Sequence, residues 1–494
     1  MRLANLRHVW ARIRGSLEDR PLERTRPPLG RYEIVLIILG ALLATSAAYY
    51  ALVERRADPD IFWHIANGRE MVETHSIPQQ DGMSWYGIER NLQTSTQEWL
   101  YDLVIYFLYH IGGFGLVYAF TAMLSGALFV ALYALVRIRT GSLYAAVVVA
   151  VLAIAGSMPV IAPRPTMVSA LLLVVMAVLL ERRWWLASLP VIVLVANMHG
   201  GVFPMFLVAL TYYAYREKPW LTMAAAASVA VNPQTTALWR FPFQGTFGEI
   251  TAMIQEWQPA SLGNDPFLFM ALIALVLAVR NKRIPLDTGL FALALSCLAL
   301  IGLRYGVYVY ILAIPLLAPY VLATTPGLQD ERNIMTTLRE GTPAPAWLKG
   351  ILISELVLGT VVVLALGLST PIDVHDGWPR DAVRYIQENR IDRVFNYYDD
   401  GGYLVFHGVP TLIDGRAIQF GPLFNKGEDL IFRYMEVVGL ETDHRQFIHN
   451  LGIRYVLLPK ELGFYRVLLV DPKFTTIYED ATHVLMEFGP VASS

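Results

Sequence analysis

Apolar residues form long, unbroken runs through the first three quarters of the chain and short, alternating stretches after that. The first run, 32–53, is long enough for a helix to cross a hydrocarbon core, which takes about 20 residues. Further runs lie near 113–136, 142–161, 166–181, 184–198, 200–215, 219–232, 265–279, 286–303, 305–323 and 350–369. Several fall short of a full span, which is tolerated where protein or a water-filled cavity surrounds the helix. From 371 onward the period changes. Helices are predicted at 380–389, 427–438 and 461–470, and strands at 393–396, 411–414, 455–458, 474–478 and 483–487. The pattern predicts a polytopic α-helical membrane protein of about eleven transmembrane helices, followed by a C-terminal soluble α/β domain.

Charge follows the same division. Of the 124 residues from 371 on, 30 are charged, against 50 of the first 370. Residues 1–31 carry eight arginines and three acids, so they read as a basic cytoplasmic tail ahead of an uncleaved first span. The transmembrane part is then 32–370, with a long outer loop at 54–112. Within that loop the segment 98–111 is apolar but short, and it ends at Gly112-Gly113. If it lies in the interface, 20 Lys and Arg of the membrane part fall inside and 7 outside; if it spans, the tally becomes 11 and 16. The positive-inside rule selects the interface, which puts the 371–494 domain outside the cytoplasm.

Composition removes several function classes. The single cysteine, Cys297, lies in an apolar run, so there is no internal disulfide framework and no cysteine-based zinc site. A net charge of −2 provides no basic field for nucleic acid. Walker, Rossmann and HExxH patterns are absent.

With this topology the unusual polar residues gather on the outer face. The first loop reads Asp58-Pro59-Asp60, then Trp63-His64 and Gly68-Arg69, and closes on Gln97-Glu98-Trp99. Later outer turns carry Arg164-Pro165, Asn197 with His199-Gly200-Gly201, Asn232-Pro233, Trp239-Arg240, Glu256-Trp257-Gln258-Pro259 and Arg304-Tyr305. A carboxylate pair flanking a proline, presented from a stiff segment, suits a general base or a metal site; a solvated loop is the plainer alternative. Arg304, between two apolar runs, either snorkels to the interface or clamps a lipid phosphate, with Arg164 and Arg240 weaker candidates. His199 fits a proton carrier, a metal ligand or a structural histidine. Gly200-Gly201 fits a tight turn or close helix approach.

The Asp-Pro-Asp-x-x-Trp-His-x-x-x-Gly run at 58–68 and Gln-Glu-Trp-Leu at 97–100 resemble the first outer loop of bacterial GT-C superfamily membrane glycosyltransferases. Arg164-Pro165, Asn197-x-His199-Gly200, Asn232-Pro233 and Glu256-Trp257-Gln258-Pro259 are similar to later marks of one branch, and 395–403 and 413–416 to its soluble domain. The resemblance implies a bacterial inner-membrane enzyme. It would take a sugar from a polyprenyl-phosphate carrier and pass it to a glycan, lipid or protein acceptor on the outer face. It also implies a first-loop base, Asp58 or Asp60, accompanied by Glu98, and a cation near the leaving phosphate, Arg304 first and Arg164 second. His64, Asn197, His199, Glu256 and Trp257 would line the substrate side. Some members use a divalent ion such as Mg or Mn; Asp58, Asp60, Glu98 and His199 could supply ligands, although no spacing demands it. The loop lacks the adjacent Asp-Glu pair of protein mannosyltransferases, which counts against that acceptor class.

Asp414-Gly415-Arg416 reads as a turn held by local hydrogen bonds, and 397–403 as a packed structural motif, with ring stacking on a sugar as the alternative. Two other functions compete with the transferase: a transporter or flippase, and a non-catalytic scaffold of the same fold. Against the transporter, the charges gather at one face rather than near the midplane.

Overall fold

The computed structural model describes residues 31–94, 97–242, 258–259, 284–322, 376–422 and 424–489, with the single residues 272, 276, 365 and 374. The basic tail and the apolar runs at 265–279 and 350–369 lie outside the described residues, apart from a few single positions.

The N-terminal part is helical: α1 (Arg31–Glu54), α2 (Pro59–Thr74), α3 (Trp85–Arg90), α4 (Trp99–Thr140), α5 (Leu143–Ser157), α6 (Pro165–Glu181), α7 (Ser188–Met198), α8 (Phe203–Ala214), α9 (Trp220–Ser228), α10 (Leu286–Ile301) and α11 (Leu303–Leu322). Among the described residues, four segments are long and apolar enough to cross a bilayer: Glu33–Glu54, Trp99–Thr140, Leu143–Val160 and Leu303–Leu322. They mark a membrane protein. The Gly112-Gly113 step breaks α4 into two helices, with Gly113 at φ 61, a backbone conformation open to glycine. Small residues line the contact between α1 and α4, where Ala41, Ala44 and Ala48 are buried with Ala122 and Phe129. Close approach of this kind drives helix association in lipid, where burial alone gives little.

The C-terminal part builds a four-stranded sheet from β1 (Val394–Asn396), β2 (Tyr455–Pro459), β3 (Phe474–Glu479) and β4 (His483–Phe488), in the order β1-β2-β4-β3. β1 runs parallel to β2, with Val394 opposite Tyr455, and the other two pairings are antiparallel. The helices around it are α12 (Arg380–Glu388), α13 (Gly401–Phe406), α14 (Leu430–Val438), α15 (His444–Asn450) and α16 (Gly463–Val470).

One predicted element is corrected. Residues 411–414 form no strand of the sheet. The buried side chain of Asn396 takes the ladder's place, accepting from the Leu412 amide and donating to the Ile413 carbonyl, both at 2.9 Å. Thr411 instead bridges Ser84 of the first outer loop. The short helix α15 was not foreseen; Asp443 caps it by accepting from the amides of Arg445 and Gln446.

The first outer loop is wedged between the spans and the sheet. Phe62 is fully buried, edge-on to Trp378, Tyr403 and Phe114. Trp85 and Tyr86 join Phe395 and Tyr434 in the core of the C-terminal part, and the Trp85 indole donates to the Val394 carbonyl at 3.1 Å. Gly402 lies so close to the Pro59 carbonyl that a Cβ would overlap it. Gly402→Ala is therefore expected to lower stability by about 1–3 kcal/mol, since the collision is with backbone that has nowhere to go. An unchanged thermal midpoint in detergent would show that the two segments can part without penalty.

Candidate functional site

Proline at the first position of α2 and Asp58 as its N-cap fix the local chain, and the Asp58 side chain accepts from the Asp60 amide at 3.0 Å. Both acids then turn toward Arg164, the residue before α6. Its Nε donates to Asp58 Oδ1 and Oδ2 at 2.9 and 2.8 Å, and its Nη2 lies 3.2 Å from Asp60 Oδ2. The Trp63 indole donates to Asp60 Oδ1 at 3.1 Å. From the C-terminal part, Gly415 closes over the pair, leaving no room for a Cβ beside Asp60 and Trp63. The two sequence-predicted carboxylates and one of the predicted cations thus form a single cluster.

The two acids differ in what they face. Asp58 lines a cavity of about 330 Å³ together with Arg55, Arg56, Pro59, Tyr118, Trp378 and Asp399, while Asp60 is not part of its wall. A carboxylate offers about four lone-pair sites. At Asp58 the Arg164 Nε takes one on each oxygen and the Asp60 amide takes a second on Oδ1. Among the described residues no partner takes the second site on Oδ2.

Next to this cluster is a second one. His64 is buried beneath Trp63, ring centroids 3.7 Å apart, and its Nδ1 meets Asp102 Oδ1 at 2.5 Å. Asn67 donates to the other Asp102 oxygen at 3.2 Å. Burial pushes the His64 pKa down, against the opposing pull of Glu98, Asp60 and Asp58. At Gly68 a Cβ would overlap the Asp102 carbonyl, so that glycine serves the approach of α2 to α4. Asp102 is a partner that sequence reading missed; its signal was an acid in the first turn of an otherwise apolar helix.

Glu98 and His199 meet at 3.6 Å, with Ser169 Oγ 2.6 Å from His199 Nδ1. Burial pushes Glu98 up to about 7, which His64 and Arg304 oppose and Asp102 and Asp60 reinforce. Burial pushes His199 down to about 3, with Arg304 and His64 acting in the same direction. The imidazole is therefore neutral at pH 7, and the contact is not an ion pair there. Arg304 acts electrostatically on this group, and the amide of its neighbour Leu303 donates to the Gln258 carbonyl at 2.8 Å. Asn197 accepts from the Trp99 indole at 2.9 Å and ties α7 to the start of α4. Arg240 is exposed. Glu256 and Trp257 lie outside the described residues.

Glu98 gives a pH signature. Its folded pKa exceeds the ordinary 4.5, so the folded state binds more protons than the unfolded state between about pH 4.5 and 7, and stability falls as pH rises through that window. His64 and His199, held low, slope the opposite way below about pH 6.5. The two trends separate in Glu98→Gln. Its thermal midpoint should gain on wild type as pH rises from 4.5 to 7 and hold that lead above 7. A constant difference across the range would contradict the raised pKa.

Among the described residues no three His, Cys, Asp or Glu side chains converge as a metal site. Asp58 and Asp60 are taken up by Arg164 and Trp63, and Glu98 faces His199. Among the described residues these donors are engaged within the protein, and no step below is routed through a divalent ion. Sequence reading counted Arg55 and Arg56 only as orientation charges and placed Asp399 in a structural run; all three line the cavity.

No family model matches the sequence, and no curated protein is similar to it. Solved structures are similar in fold. The archaeal oligosaccharyltransferase AglB from Archaeoglobus fulgidus, in complex with an inhibitory peptide and a dolichol-phosphate, matches with a TM-score of 0.56 at 10% identity, over 88% of this chain and 70% of that one. ArnT from Cupriavidus metallidurans, bound to undecaprenyl phosphate, matches with a TM-score of 0.51 at 15% identity, over 92% and 97%. Both are GT-C superfamily glycosyltransferases, and this chain has their fold.

Proposed function

We propose, from a GT-C fold whose first outer loop presents two aspartates beside a cavity, that this protein is a membrane glycosyltransferase. It moves a sugar from a polyprenyl-phosphate carrier to an acceptor hydroxyl of a glycan, lipid or protein on the extracytoplasmic face. The carrying observation is Asp58, which lines the cavity, is oriented by Arg164 and the Asp60 amide, and has one lone-pair site on Oδ2 that no described residue takes. The acceptor oxygen attacks the anomeric carbon and its proton passes to Asp58. The bond from that carbon to the phosphate oxygen breaks, and its electron pair leaves with the polyprenyl phosphate. Attack opposite the leaving group inverts the anomeric centre. Asp60 acts through Arg164 and Trp63 and positions the base.

The arrangement in the membrane follows the charge pattern: a cytoplasmic tail 1–31, eleven spans within 32–370, and an extracytoplasmic 371–494 domain, in a bacterial inner membrane. Supporting the reading, one structure of this fold holds a dolichol-phosphate together with a peptide, and another holds undecaprenyl phosphate.

The test is sugar release by purified protein in nanodiscs from radiolabelled polyprenyl-phosphate hexoses and pentoses. Wild type should release sugar above the protein-free background. A folded wild type that releases none and binds no lipid phosphate would overturn the reading.

A further inference from the structure

The buried histidine beside the aspartate cluster has no part in the proposed chemistry, yet it is held by more groups than packing requires. The His64 ring is 1% exposed, stacked on Trp63 at 3.7 Å and edge-on to Tyr101 at 5.0 Å. Its Nδ1 and Asp102 Oδ1 are 2.5 Å apart, too close to face each other without a proton between them. The other Asp102 oxygen accepts from Asn67 at 3.2 Å. Gly68 seats α2 against the Asp102 carbonyl, so the two helices keep the pair together.

This arrangement leaves one position to titrate. A proton lies between Nδ1 and Oδ1 whether the pair carries one proton or two, so the second comes and goes at Nε2. Among the described residues Nε2 has no hydrogen-bond partner. The imidazolium is disfavoured first by burial, favoured by Glu98, Asp60 and Asp58 in that order, and opposed by Arg164. From the other packed elements, His64 acts on His199, and Arg416 acts on Asp102. The coupling is mutual. An imidazolium at His64 would favour the ionised forms of Asp58 and Asp60, and so weaken Asp58 as a proton acceptor.

The ring also has a mechanical part to play. Trp63 rests on it and donates to Asp60 Oδ1 at 3.1 Å, while Gly415 closes over the indole nitrogen. Asp102 stops the imidazole from turning beneath that indole.

We propose that Asp102 and His64 are positioning residues of the transfer: Asp102 locks the imidazole under Trp63 with Nε2 bare, and the ring holds the indole on Asp60 without adding a second cation beside the base. The assignment rests on the transferase reading. Neither residue touches substrate; both act through Trp63, Asp60 and Asp58.

The test is the pH profile of sugar release by the full chain in nanodiscs, read as kcat and KM. It compares wild type, Asp102→Asn, His64→Asn and the exchange of Asn67→Asp with Asp102→Asn. Wild-type kcat should fall as pH drops through the titration of Nε2. Asp102→Asn offers one carbonyl oxygen to two donors, Asn67 and His64, and no charge to balance an imidazolium. Its kcat at neutral pH should fall about fivefold, the worth of one hydrogen bond, with KM for the donor unchanged. Its acid limb should move lower by about one pH unit, because losing an opposite charge lowers the pKa of the imidazole. His64→Asn keeps a donor toward Asp102 but has no Nε2, so its acid limb should also move lower. The exchange gives each donor an acceptor again and returns a carboxylate nearby, and should recover most of kcat. An acid limb at its wild-type position in both single variants would overturn the assignment and leave a purely structural pair. So would wild-type kcat in a folded Asp102→Asn. Should thermal midpoints show that variant unfolded, His64→Asn and the exchange decide by the same readings. A folded wild type without release would remove the transferase reading and this assignment with it, whereas release with an unmoved limb sinks the assignment alone.

Discussion

Asp58→Asn is expected to reduce sugar release by about 10²–10⁴-fold, the range by which a positioned base accelerates proton transfer. The substitution keeps the shape and the acceptor toward the Asp60 amide. It removes the oxygen that takes the proton and turns an amide donor toward the Arg164 guanidinium. Asp60→Asn should cost less, about tenfold, because Asp60 acts at one remove through the Arg164 Nη2 contact and the Trp63 indole. Release from a radiolabelled polyprenyl-phosphate sugar, read with thermal midpoints to confirm folding, checks both values. If Asp60→Asn were the more damaging change while both variants stayed folded, the base would be reassigned.

Asp81→Ala is expected to destabilise the protein by about 3–5 kcal/mol, as when one partner of a buried ion pair is removed. Arg416 is only 4% exposed and reaches Asp81 Oδ1 at 3.0 Å, across 335 residues of chain, and Asp414 Oδ2 at 2.6 Å. Burial alone would lower the Arg416 pKa; Asp414 and then Asp81 more than offset it, so the cation is held firmly. Asp81 also accepts from the Met83 amide at 3.0 Å and from the Ser84 hydroxyl, so alanine would strand several buried donors at once. Asp81→Asn retains an acceptor and should cost less. A shift in the thermal midpoint no larger than that of an exposed-site control would show that Asp414 suffices alone.

Much of the outline could be read from the sequence because it depends on local period. The apolar runs that became α5, α6, α8 and α10 announced themselves, as did the alternation behind β2 and β4. The proline between Asp58 and Asp60 likewise marked a stiff, acid-bearing entry to a helix. What escaped reading depends on partners far away in the chain. Residues 411–414 look like a strand because they alternate; only the buried amide of Asn396, which no periodicity reveals, shows why they are not. Asp102 was hidden inside an apolar helix until His64, 38 residues earlier, came to lie against it. Asp399 and Asp400 are indistinguishable in sequence, yet one meets a histidine and the other a cavity. Arg55 and Arg56 counted as topology signals, and the same position at a span's end is what brings them to the cavity.

The seat of Pro59 on Gly402, and of Asp60 beneath Gly415, has a consequence in time. A ribosome delivers the aspartate loop early and its seat some 340 residues later, so for most of synthesis the loop has the acids without the wall that closes over them. A nascent or truncated chain that reaches the membrane carries the reactive groups without the Gly402 and Gly415 contacts. The acids and Arg164 can meet early, and the site is closed over only when the last part of the polypeptide folds back onto the first.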